Sequence, residues 1–432
     1  MDAISIGLLG LGTVGSGVVK IVENHQDKLM HQIGCPVRIN KILVKNIEKE
    51  RDVHVDPALL TDSPDDILEN PDINIIIEVM GGVEETRKYL LRAVRNKKHV
   101  VTANKDLMAL YGPELLAEAT RNKCDLFYEA SVAGGIPILR GLVDGLASDR
   151  ITKMMGIVNG TTNFILTKMS KSGSPYEEAL AQAQQLGYAE SDPTADVEGL
   201  DAARKMAILA TLGFSMNIDL DDVSCEGITH ITEEDIDYSK QLGYTMKLIG
   251  IADRVGEKVE VSVQPALLNE THPLAAVNDE YNAVYVYGEA VGETMFYGPG
   301  AGSLPTATAI VSDLVGVMKN MRLHINGRSA GAPQYEKNLK NEDEIFAKHF
   351  LRLHVKDEIG VFATITTLFA QHSISFEKIL QLPLAEKGHA EIVLVTHRAS
   401  LKNFHTILQQ LRDNELVLEI KSTYRVEGDD KK

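Results

Sequence analysis

The sequence is poor in the residues that stabilise small secreted proteins or build membrane spans. It has three cysteines in 432 residues and no tryptophan. Cys35, Cys124 and Cys225 are scattered without CxxC spacing, which argues against a disulfide framework and favours reduced thiols. No apolar run approaches the ~20 residues that a membrane-spanning helix needs. The sequence therefore predicts a protein without a membrane span.

Positive charge is also scarce. Lys and Arg number 44 against 61 Asp and Glu, which gives a formal net charge of −17 at pH 7. This balance disfavours non-specific binding to nucleic acid or to anionic membranes. The start of the chain lacks the basic and then apolar segments of a signal peptide, so we expect a cytoplasmic protein. The 13 histidines include no HExxH motif, and we expect no zinc site.

Strands and helices alternate through the first 150 residues. The pattern predicts strands at 4–9, 37–44, 73–79, 99–102 and 125–129, and helices at 16–24, 86–96 and 113–122. Near-continuous apolar strands that alternate with helices are typical of a doubly wound parallel sheet. We therefore expect an α/β fold that begins with such a domain over 1–150.

The rest of the chain is less regular until its last 80 residues. Residues 151–304 predict an α+β domain with a mixed sheet, and a helix at 305–320 is expected to pack back on the first domain. The polar segment 326–348 is interpreted as a linker. Residues 349–428 follow the order β-α-β-β-α-β, which predicts a ferredoxin-like domain.

A glycine motif follows the first predicted strand. Gly10, Gly12 and Gly15 form G-x-G-x-x-G between a strand and a helix. In that setting the first glycine allows a tight turn, the second lets the backbone approach a pyrophosphate, and the third lets helix and strand pack closely. The motif predicts a Rossmann-type domain that binds NAD or NADP.

The choice between the two cofactors depends on the end of the second strand. An acidic residue is expected there to hold the ribose of NAD, and Val44-Lys45-Asn46 offers none. Lys45, Lys49 and Arg51 are basic and suit a 2′-phosphate, which favours NADP. Solvated loop lysines are the alternative interpretation, and NAD stays open.

One segment in the middle of the chain combines several carboxylates with a lysine. Within 187–205 stand Glu190, Asp192, Asp196, Glu198, Asp201 and Lys205. Asp201 and Lys205 are four residues apart and share a face of a predicted helix. Carboxylates of this kind suit an ammonium group, and a partly buried lysine suits proton transfer to a carbonyl that receives hydride. The alternative is a solvated helix with a surface ion pair.

Three other loops carry candidate residues. Lys105 follows a predicted parallel strand at the edge where ligands of open α/β sheets bind. Segment 158–163, Val-Asn-Gly-Thr-Thr-Asn, fits either a capping turn or hydrogen bonding to substrate or cofactor. In segment 128–137, the Gly-Gly-Ile-Pro sequence is first of all typical of a turn, and the alternative is a hard cation held by the Glu129 carboxylate and backbone carbonyl oxygens.

Together these segments resemble homoserine dehydrogenase in its long bacterial form. The resemblance rests on 10–15, Thr102-Ala-Asn-Lys105, Tyr128-Glu129-Ala-Ser-Val132, Asn159-Gly-Thr-Thr-Asn163, Gly187-Tyr-Ala-Glu190-Ser-Asp-Pro and Gly199-Leu-Asp201-Ala-Ala-Arg-Lys205, in the order the family has them. The last 80 residues, with Asp357-Glu-Ile-Gly360, resemble an ACT domain. The resemblance covers nearly the whole chain.

The resemblance implies an enzyme that interconverts L-aspartate 4-semialdehyde and L-homoserine with NAD(P), in threonine, methionine and isoleucine biosynthesis. Lys205 would be the proton donor, and Lys105 a lysine near nicotinamide and substrate. Glu190 and Asp201 would bind the substrate, with Asp196 as a further candidate. The residues along the cofactor would be Gly10, Leu11, Gly12, Thr13, Val14, Gly15, Gly187 and Gly302.

The resemblance also implies a cation, an effector and an assembly. Glu129, Val132, Gly134 and Ile136 would bind sodium, with only Glu129 using its side chain. The ACT domain would bind an amino acid, for which threonine is the candidate feedback inhibitor. The middle domain would pair two subunits, which gives a homodimer or a homotetramer.

Two other functions are compatible with parts of the sequence. The chain would be an amino-acid sensor if the ACT domain worked and the dehydrogenase core did not, but Lys105, Glu190, Asp201 and Lys205 are all present. An aspartate-semialdehyde dehydrogenase would need a thiolate nucleophile. No cysteine has the surroundings of one.

Overall fold

A computed structural model describes residues 3–327 and 333–428. The chain divides into two compact units. The first unit consists of Met1–Met154, Arg204–Val223 and Asn282–Lys337, and the second of Met155–Ala203, Ser224–Tyr281 and Asn338–Lys432. No helix among the described residues is both long and apolar enough to cross a membrane.

The first 150 residues fold around one parallel sheet. Its strands are β1 (Ile4–Leu9), β2 (Val37–Leu43), β3 (Leu60–Thr61), β4 (Ile75–Glu78), β5 (His99–Thr102) and β6 (Leu126–Phe127). The helices are α1 (Thr13–Asn24), α2 (Gln26–Ile33), α3 (Asp65–Leu68), α4 (Glu84–Arg95), α5 (Lys105–Arg121) and α6 (Ile138–Arg140). The strand order is β3-β2-β1-β4-β5-β6 with every pairing parallel. The predicted doubly wound sheet is confirmed.

The middle of the chain contributes to both units. Its elements are β7 (Ile151–Ile157), α7 (Gly160–Ser172), α8 (Tyr176–Gln185), α9 (Thr194–Val197), α10 (Leu200–Phe214), β8 (Val223–Cys225), α11 (Glu233–Gln241), β9 (Tyr244–Val255), β10 (Lys258–Asn269), β11 (Tyr281–Gly288), β12 (Gly292–Pro299) and α12 (Ser303–Leu323). The division between the units falls within α10, after Ala203.

Helix α12 belongs to the first unit and packs on its sheet core. Ala307, Ile310, Leu314 and Val317 are buried in the same apolar cluster as β1 and α1. Gly17 on α1 allows this approach, because a Cβ there would lie 2.5 Å from the carbonyl oxygen of Ser303. The helix thereby brings its N-terminus to the glycine loop.

The last 90 residues belong to the second unit. Their elements are β13 (Phe346–Lys356), α13 (Val361–Gln371), β14 (Phe376–Pro383), β15 (His389–Thr396), β16 (Ala399–Ser400), α14 (Leu401–Arg412) and β17 (Val417–Glu427). Strands β17, β13, β15 and β14 are neighbours in that order and pair antiparallel. Helices α13 and α14 cover the sheet with Ile365, Phe369, Ile407 and Leu411. The predicted ferredoxin-like domain is confirmed.

A buried ion-pair network fixes this domain to helix α11 within the second unit. Arg352 Nη1 on β13 donates to Asp235 Oδ1 at 2.9 Å, and its Nε donates to Glu391. Tyr424 donates to the other Asp235 oxygen at 2.9 Å. Removing the domain would leave Asp235 buried without these partners, which is costly. Strand β17 also extends the sheet by pairing parallel with β10.

Two segments differ from their predicted form or lie partly outside the structure. Helix α5 begins at Lys105, eight residues before the predicted start at Pro113, because the Asn104 side chain caps it by accepting from Leu107 N at 3.0 Å. Pro113 removes one internal hydrogen bond without ending the helix. Of the interpreted linker 326–348, residues 328–332 lie outside the described residues, and 346–348 form the start of β13.

Candidate active site

The glycine loop lies between β1 and α1. Gly10 has a φ of +105°, and a Cβ there would lie 2.9 Å from the Cα of Met80. Only glycine fits this left-handed backbone, because a side chain would collide with the neighbouring segment at Met80. Gly12 is exposed, and apart from its own chain neighbours no heavy atom of the described residues lies within 4 Å of its Cβ position. The open space over Gly12 fits the approach of a pyrophosphate.

Helix α1 faces this loop with its N-terminus. A Cβ at Gly15 would lie 2.3 Å from the carbonyl oxygen of Gly10, so glycine is needed for the helix to approach the strand this closely. The N-cap is Gly12, which has no side chain, and the first turn holds no acidic residue. The backbone amides and positive dipole end at Thr13 are therefore suited to an anion.

The other predicted cofactor residues of the first unit lie around the same loop. Leu11 is buried, Thr13 is exposed and Val14 is half-buried. Gly302 has a φ of +118° and is the N-cap of α12. The next residue, Ser303, donates its hydroxyl to the Thr13 carbonyl at 2.7 Å. The turn at Gly302 is therefore held against the glycine loop.

The basic residues after β2 are not equivalent. Lys45 and Lys49 are exposed. Arg51 folds back on its own loop, because its guanidinium donates to the carbonyls of Asn46, Ile47 and Lys49, at 3.2 Å for Ile47. Arg51 therefore shapes the loop, and the two lysines present their charge to solvent.

Lys105 lies where strand β5 passes into helix α5. It is half-buried and is the first residue of the helix. The preceding Asn104 caps the helix and donates to the carbonyl of Gly82 at 2.7 Å. The cap therefore fixes Lys105 at the carboxyl edge of the parallel sheet, as its position after the strand predicted.

Glu78 is a buried acid at the same edge that sequence reasoning missed. Its oxygens accept from the backbone N–H groups of Met80 at 2.9 Å and Gly81 at 3.1 Å, and from the hydroxyl of Thr102. Burial raises the pKa of Glu78, and these hydrogen bonds oppose the shift. The carboxylate thus holds the loop that packs on Gly10. The available signal was a single acid at the end of an otherwise apolar strand.

The predicted sodium loop follows β6. Glu129 is buried, and its two oxygens accept from the N–H groups of Leu139 and Arg140, each at 2.8 Å. Val132 follows the 3-10 turn that Glu129 opens. Gly134 has a φ of +53°, and its Cβ position lies 2.4 Å from the Gly300 carbonyl oxygen. The carboxylate therefore caps helix α6 whether or not a cation binds.

Asp313 on α12 is a second buried acid beside this loop, and sequence reasoning missed it as well. It accepts from Glu129 N at 2.8 Å and from Arg140 Nη2 at 3.0 Å. Burial raises the pKa of Asp313 to about 7, although Arg140 favours the ionised form. Burial also raises the pKa of Glu129. Two acids and one arginine thus join α12 to the loop.

In the second unit, Asn159 holds two of the predicted substrate acids. Its Nδ2 donates to Asp196 Oδ1 at 2.7 Å and to Asp201 Oδ2 at 2.9 Å. Its Oδ1 accepts from the Thr162 N–H at 2.9 Å and so caps helix α7. The 158–163 segment is therefore a capping turn that also binds carboxylates. The sequence suggested either a capping turn or hydrogen bonding to substrate or cofactor, and neither alternative included hydrogen bonds to carboxylates of the protein itself.

The segment that contains Gly187 and Glu190 is exposed and tied to α7 and α8 by its backbone. Gly187 has a φ of +78° and ends helix α8. The hydroxyl of Thr161 donates to the Tyr188 carbonyl at 2.7 Å, and Gln184 Nε2 donates to the Glu190 carbonyl at 3.1 Å. The Glu190 side chain is exposed on this loop.

Lys205 lies on α10, one turn after Asp201. The two side chains are buried, with 8% and 3% exposure, and four residues apart they share one side of the helix. A solvated surface helix, the alternative considered from the sequence, does not fit this burial. An amine and a carboxylate on one buried helix face suit proton transfer next to a charged substrate.

The predicted residues are divided between the two compact units. The glycine loop, Lys105, Lys205, Gly302 and the Glu129 loop lie in the first unit. Gly187, Glu190, Asp196 and Asp201 lie in the second. Among residues 3–327 and 333–428, no cluster of three or more His, Cys, Asp or Glu residues has the arrangement of a metal site.

The strand order, the glycine loop and the first turn of α1 define a Rossmann-type dinucleotide-binding protein. The comparisons with known proteins agree with this class. The family model "Homoserine dehydrogenase, NAD binding domain" matches 10–129, "Homoserine dehydrogenase" matches 137–315 and "ACT domain" matches 349–416.

Full-length relatives place the chain more narrowly. The homoserine dehydrogenase of Bacillus subtilis (strain 168) is 68% identical over 431 residues, which is 99% of each chain. The solved structure of a homoserine dehydrogenase from Thiobacillus denitrificans has a TM-score of 0.92 at 38% identity and covers 99% of each chain. A hyperthermophilic archaeal homoserine dehydrogenase has a TM-score of 0.62 at 25% identity, over 76% of this chain and 100% of its own. The chain belongs to the homoserine dehydrogenase family of NAD(P)-dependent oxidoreductases.

Proposed function

We propose that the protein interconverts L-aspartate 4-semialdehyde and L-homoserine, a step of threonine, methionine and isoleucine biosynthesis. The observation that supports this most directly is the buried pair of Asp201 and Lys205 on one face of α10. Both substrates carry an α-ammonium group on C2 and a reactive C4, and Asp201 suits the ammonium group while Lys205 suits proton transfer at the C4 oxygen. The B. subtilis relative carries the corresponding name at 68% identity.

The side chains divide the work as follows. Glu190 and Asp201, with Asp196, bind the α-ammonium group. A nicotinamide cofactor held at the glycine loop would supply the hydride for the aldehyde carbon. Lys205 donates a proton to the alkoxide oxygen as it forms and removes that proton in the oxidising direction. Lys105 would lie near the nicotinamide and the substrate, where its positive charge would stabilise the developing negative charge on oxygen.

The glycine loop binds the pyrophosphate of NADP, with NAD as the weaker alternative. The space over Gly12 and the N-terminus of α1 fit a phosphate. Lys45 and Lys49 are exposed, and Val44-Lys45-Asn46 offers no carboxylate for a ribose hydroxyl. An archaeal relative is known in complex with NADPH. Gly187 and Gly302 are the further candidates for cofactor binding.

Steady-state kinetics with both cofactors test this preference. Replacing Lys45 and Lys49 by alanine should raise the KM for NADP several-fold and leave the KM for NAD unchanged, because only NADP carries the 2′-phosphate. The matched control is the exposed Lys402→Ala on α14. A wild-type enzyme that prefers NAD would contradict the assignment.

A sodium ion is proposed at Glu129, Val132, Gly134 and Ile136. Each oxygen of the Glu129 carboxylate accepts one backbone N–H, and a carboxylate has lone pairs for further ligation. Backbone carbonyls supply the other ligands, as hard cations prefer. Activity and thermal stability should both rise with NaCl more than with choline chloride, and Glu129→Gln should remove that difference. Equal responses to both salts would exclude the site.

The ACT domain is proposed to bind an amino-acid effector, with threonine as the candidate. Full-length protein should lose homoserine oxidation as threonine is added, while serine and valine at the same concentration serve as controls. Truncation is a poor test, because Asp235 would lose its buried partner Arg352. Unchanged activity at high threonine would argue against feedback by this amino acid.

The domain limits and assembly follow from the same proposal. The cofactor domain spans 1–150 with the helix at 305–320, the catalytic and dimerisation domain 151–304, the linker 326–348 and the ACT domain 349–428. The protein is proposed to be a cytoplasmic homodimer or homotetramer, without nucleic-acid or membrane partners. Light scattering during gel filtration measures the subunit number, and a monomer would contradict this assembly.

One assay separates the proposed enzyme from the two alternatives. Homoserine-dependent reduction of NADP identifies the enzyme, whereas threonine binding without turnover would identify a sensor. A thiolate mechanism has little support, because Cys35 and Cys124 are buried and burial raises the pKa of Cys124 to about 11. Replacement of Cys225, which is exposed, by serine should leave turnover intact.

A further inference from the structure

The side chain of Asn159, the N-cap of helix α7, contacts two of the predicted substrate acids, and no sequence motif predicted these contacts. Its side chain is 5% exposed. Nδ2 donates to Asp196 at 2.7 Å and to Asp201 at 2.9 Å. Oδ1 accepts from both the N–H and the hydroxyl of Thr162, each at 2.9 Å. All four hydrogen-bonding positions of the amide are therefore in use.

Chemistry fixes the orientation of this amide. The N–H of Thr162 can only donate, so it requires the oxygen of Asn159 on its side. The two carboxylates accept when ionised, so they require the NH₂ group on theirs. A flipped amide would place donor against donor and acceptor against acceptor. The contacts to Asp196 and Asp201 therefore follow from the cap of α7.

The shared NH₂ group sets the spacing between the two acids. Asp196 lies on the short helix α9 and Asp201 in the first turn of α10, so the two belong to different elements. Two acceptors on one amide nitrogen lie on the order of 4–5 Å apart. An ammonium group has three N–H donors and can bond to two carboxylates at that spacing. Like charges this close would otherwise repel each other.

The start of α7 is itself anchored one turn further on. Asn163 Nδ2 donates to the carbonyls of Asp279 at 2.9 Å and Tyr281 at 3.1 Å. The buried Lys247 donates to Asn163 Oδ1 at 3.0 Å. Asn159 is therefore held by a helix whose own first turns are fixed, and such support keeps a binding group in place.

We infer that Asn159 is the positioning residue that holds Asp196 and Asp201 in the spacing that receives the α-ammonium group of the amino-acid substrate. The inference rests on the proposed function and deepens it. It assigns Asp196 to the substrate site beside Asp201. It also gives Asn159 an indirect role in substrate binding, which consists of holding these two acids in place.

Asn159→Asp is the variant that tests this most directly. Aspartate keeps the size of the side chain and the oxygen that caps α7, but it removes both donors and adds a third negative charge. We expect the KM for homoserine to rise by about tenfold or more, since buried groups lose their hydrogen bonds. The KM for NADP should stay within about twofold, because the cofactor residues belong to other elements.

Two further variants separate positioning from stability. Asn159→Ser keeps a cap oxygen and lacks the NH₂ group, so it should raise the KM for homoserine without adding charge. Ser400→Ala removes the cap of α14, where Ser400 Oγ accepts from Asn403 N at 3.3 Å, and should lower Tm without changing either KM. If Asn159→Asp fails to fold, Asn159→Ser decides the outcome.

The results distinguish failure of this inference from failure of the proposed function. Wild-type protein without homoserine turnover would overturn the proposed function. Active wild type together with Asn159 variants that lose only kcat and Tm, at unchanged KM for homoserine, would show a purely structural role and overturn the inference. A selective rise in the KM for homoserine, larger for aspartate than for serine, supports it.

Discussion

The glycine loop and the proposed substrate acids, Asp196 and Asp201, belong to different compact units of the chain. At the glycine loop, the backbone forms the site, because Gly10, Gly12 and Gly15 leave space and helix α1 supplies amides. At the substrate acids, side chains form the site, and Asn159 sets the distance between Asp196 and Asp201. A site built from backbone depends on the absence of side chains at the three glycines. A site built from side chains depends on the residues that hold each carboxylate in place.

Substitutions at the glycine loop and at the two acids should therefore have different effects. Adding a methyl group to the loop fills space that a ligand needs or that the fold needs, depending on the position. Removing a hydrogen bond between Asn159 and one of the acids leaves helix α7 capped but changes the distance between Asp196 and Asp201. Substitutions of the two kinds should therefore affect different kinetic constants.

Replacement of Lys205 should have the largest effect. Lys205→Met keeps the length and apolar stem of the buried side chain but has no proton to donate. We expect kcat to fall by about 10²–10⁴-fold with the Kd for NADP unchanged, measured by turnover and by fluorescence titration of the cofactor. Lys402→Met, on an exposed helix face, is the control. Turnover near the wild-type rate would contradict the proton-donor role.

Substitution of Gly15 should affect stability, whereas substitution of Gly12 should affect cofactor binding. A Cβ at Gly15 would lie 2.3 Å from a backbone oxygen, so Gly15→Ala should cost about 1–3 kcal/mol of stability. Gly12→Ala meets no protein atom of the described residues within 4 Å and should leave Tm unchanged. It should raise the KM for NADP by about tenfold, or about 1.4 kcal/mol. Equal losses of Tm in both variants would contradict the distinction.

Lys247, which donates to Asn163 on α7, should give an effect that is confined to the pH dependence of stability. Burial lowers the pKa of Lys247 from 10.5 to about 7. Between these values the folded chain leaves Lys247 neutral while the unfolded chain binds a proton, so stability rises as pH increases from about 7 to 10.5. Below pH 7 the cost of burying the charge is present in full.

Lys247→Met should remove this dependence. Chemical denaturation from pH 7 to 10 should give a slope for the variant that is lower than the wild-type slope by at most about 1.4 kcal/mol per pH unit. Lys402→Met should keep the wild-type slope. A variant whose slope equals that of the wild type would mean that Lys247 stays charged when buried.

Much of the fold was predictable because its signals are local. The apolar strands, the glycine spacing and the β-α-β-β-α-β order of the last domain each depend on neighbours in sequence, and the structure agrees with all three. Helix α5 was predicted to begin at Pro113, because proline usually opens or ends a helix. The cap at Asn104 overrode that preference, and it places Lys105 in the first turn.

The missed acids Glu78 and Asp313, and the unpredicted contacts of the candidate Asn159, all involve partners that are distant in sequence. Asp313 contacts Glu129 across 184 positions, and Asn159 contacts Asp201 across 42. Glu78 contacts Thr102 on the neighbouring strand. An acid or amide in an apolar pattern signals that a partner exists, but the pattern does not say which residue it is.

The sequence by itself determined the class of fold and the glycine loop, and it singled out the acids and the lysine as candidates. These depend on the conformational freedom of glycine, on strand and helix periodicity and on residue chemistry, which are properties of short segments. The tertiary structure decided which groups are buried and what holds them. A carboxylate acquires its position only from donors that other elements bring within hydrogen-bonding distance, as Asn159 does for Asp196 and Asp201.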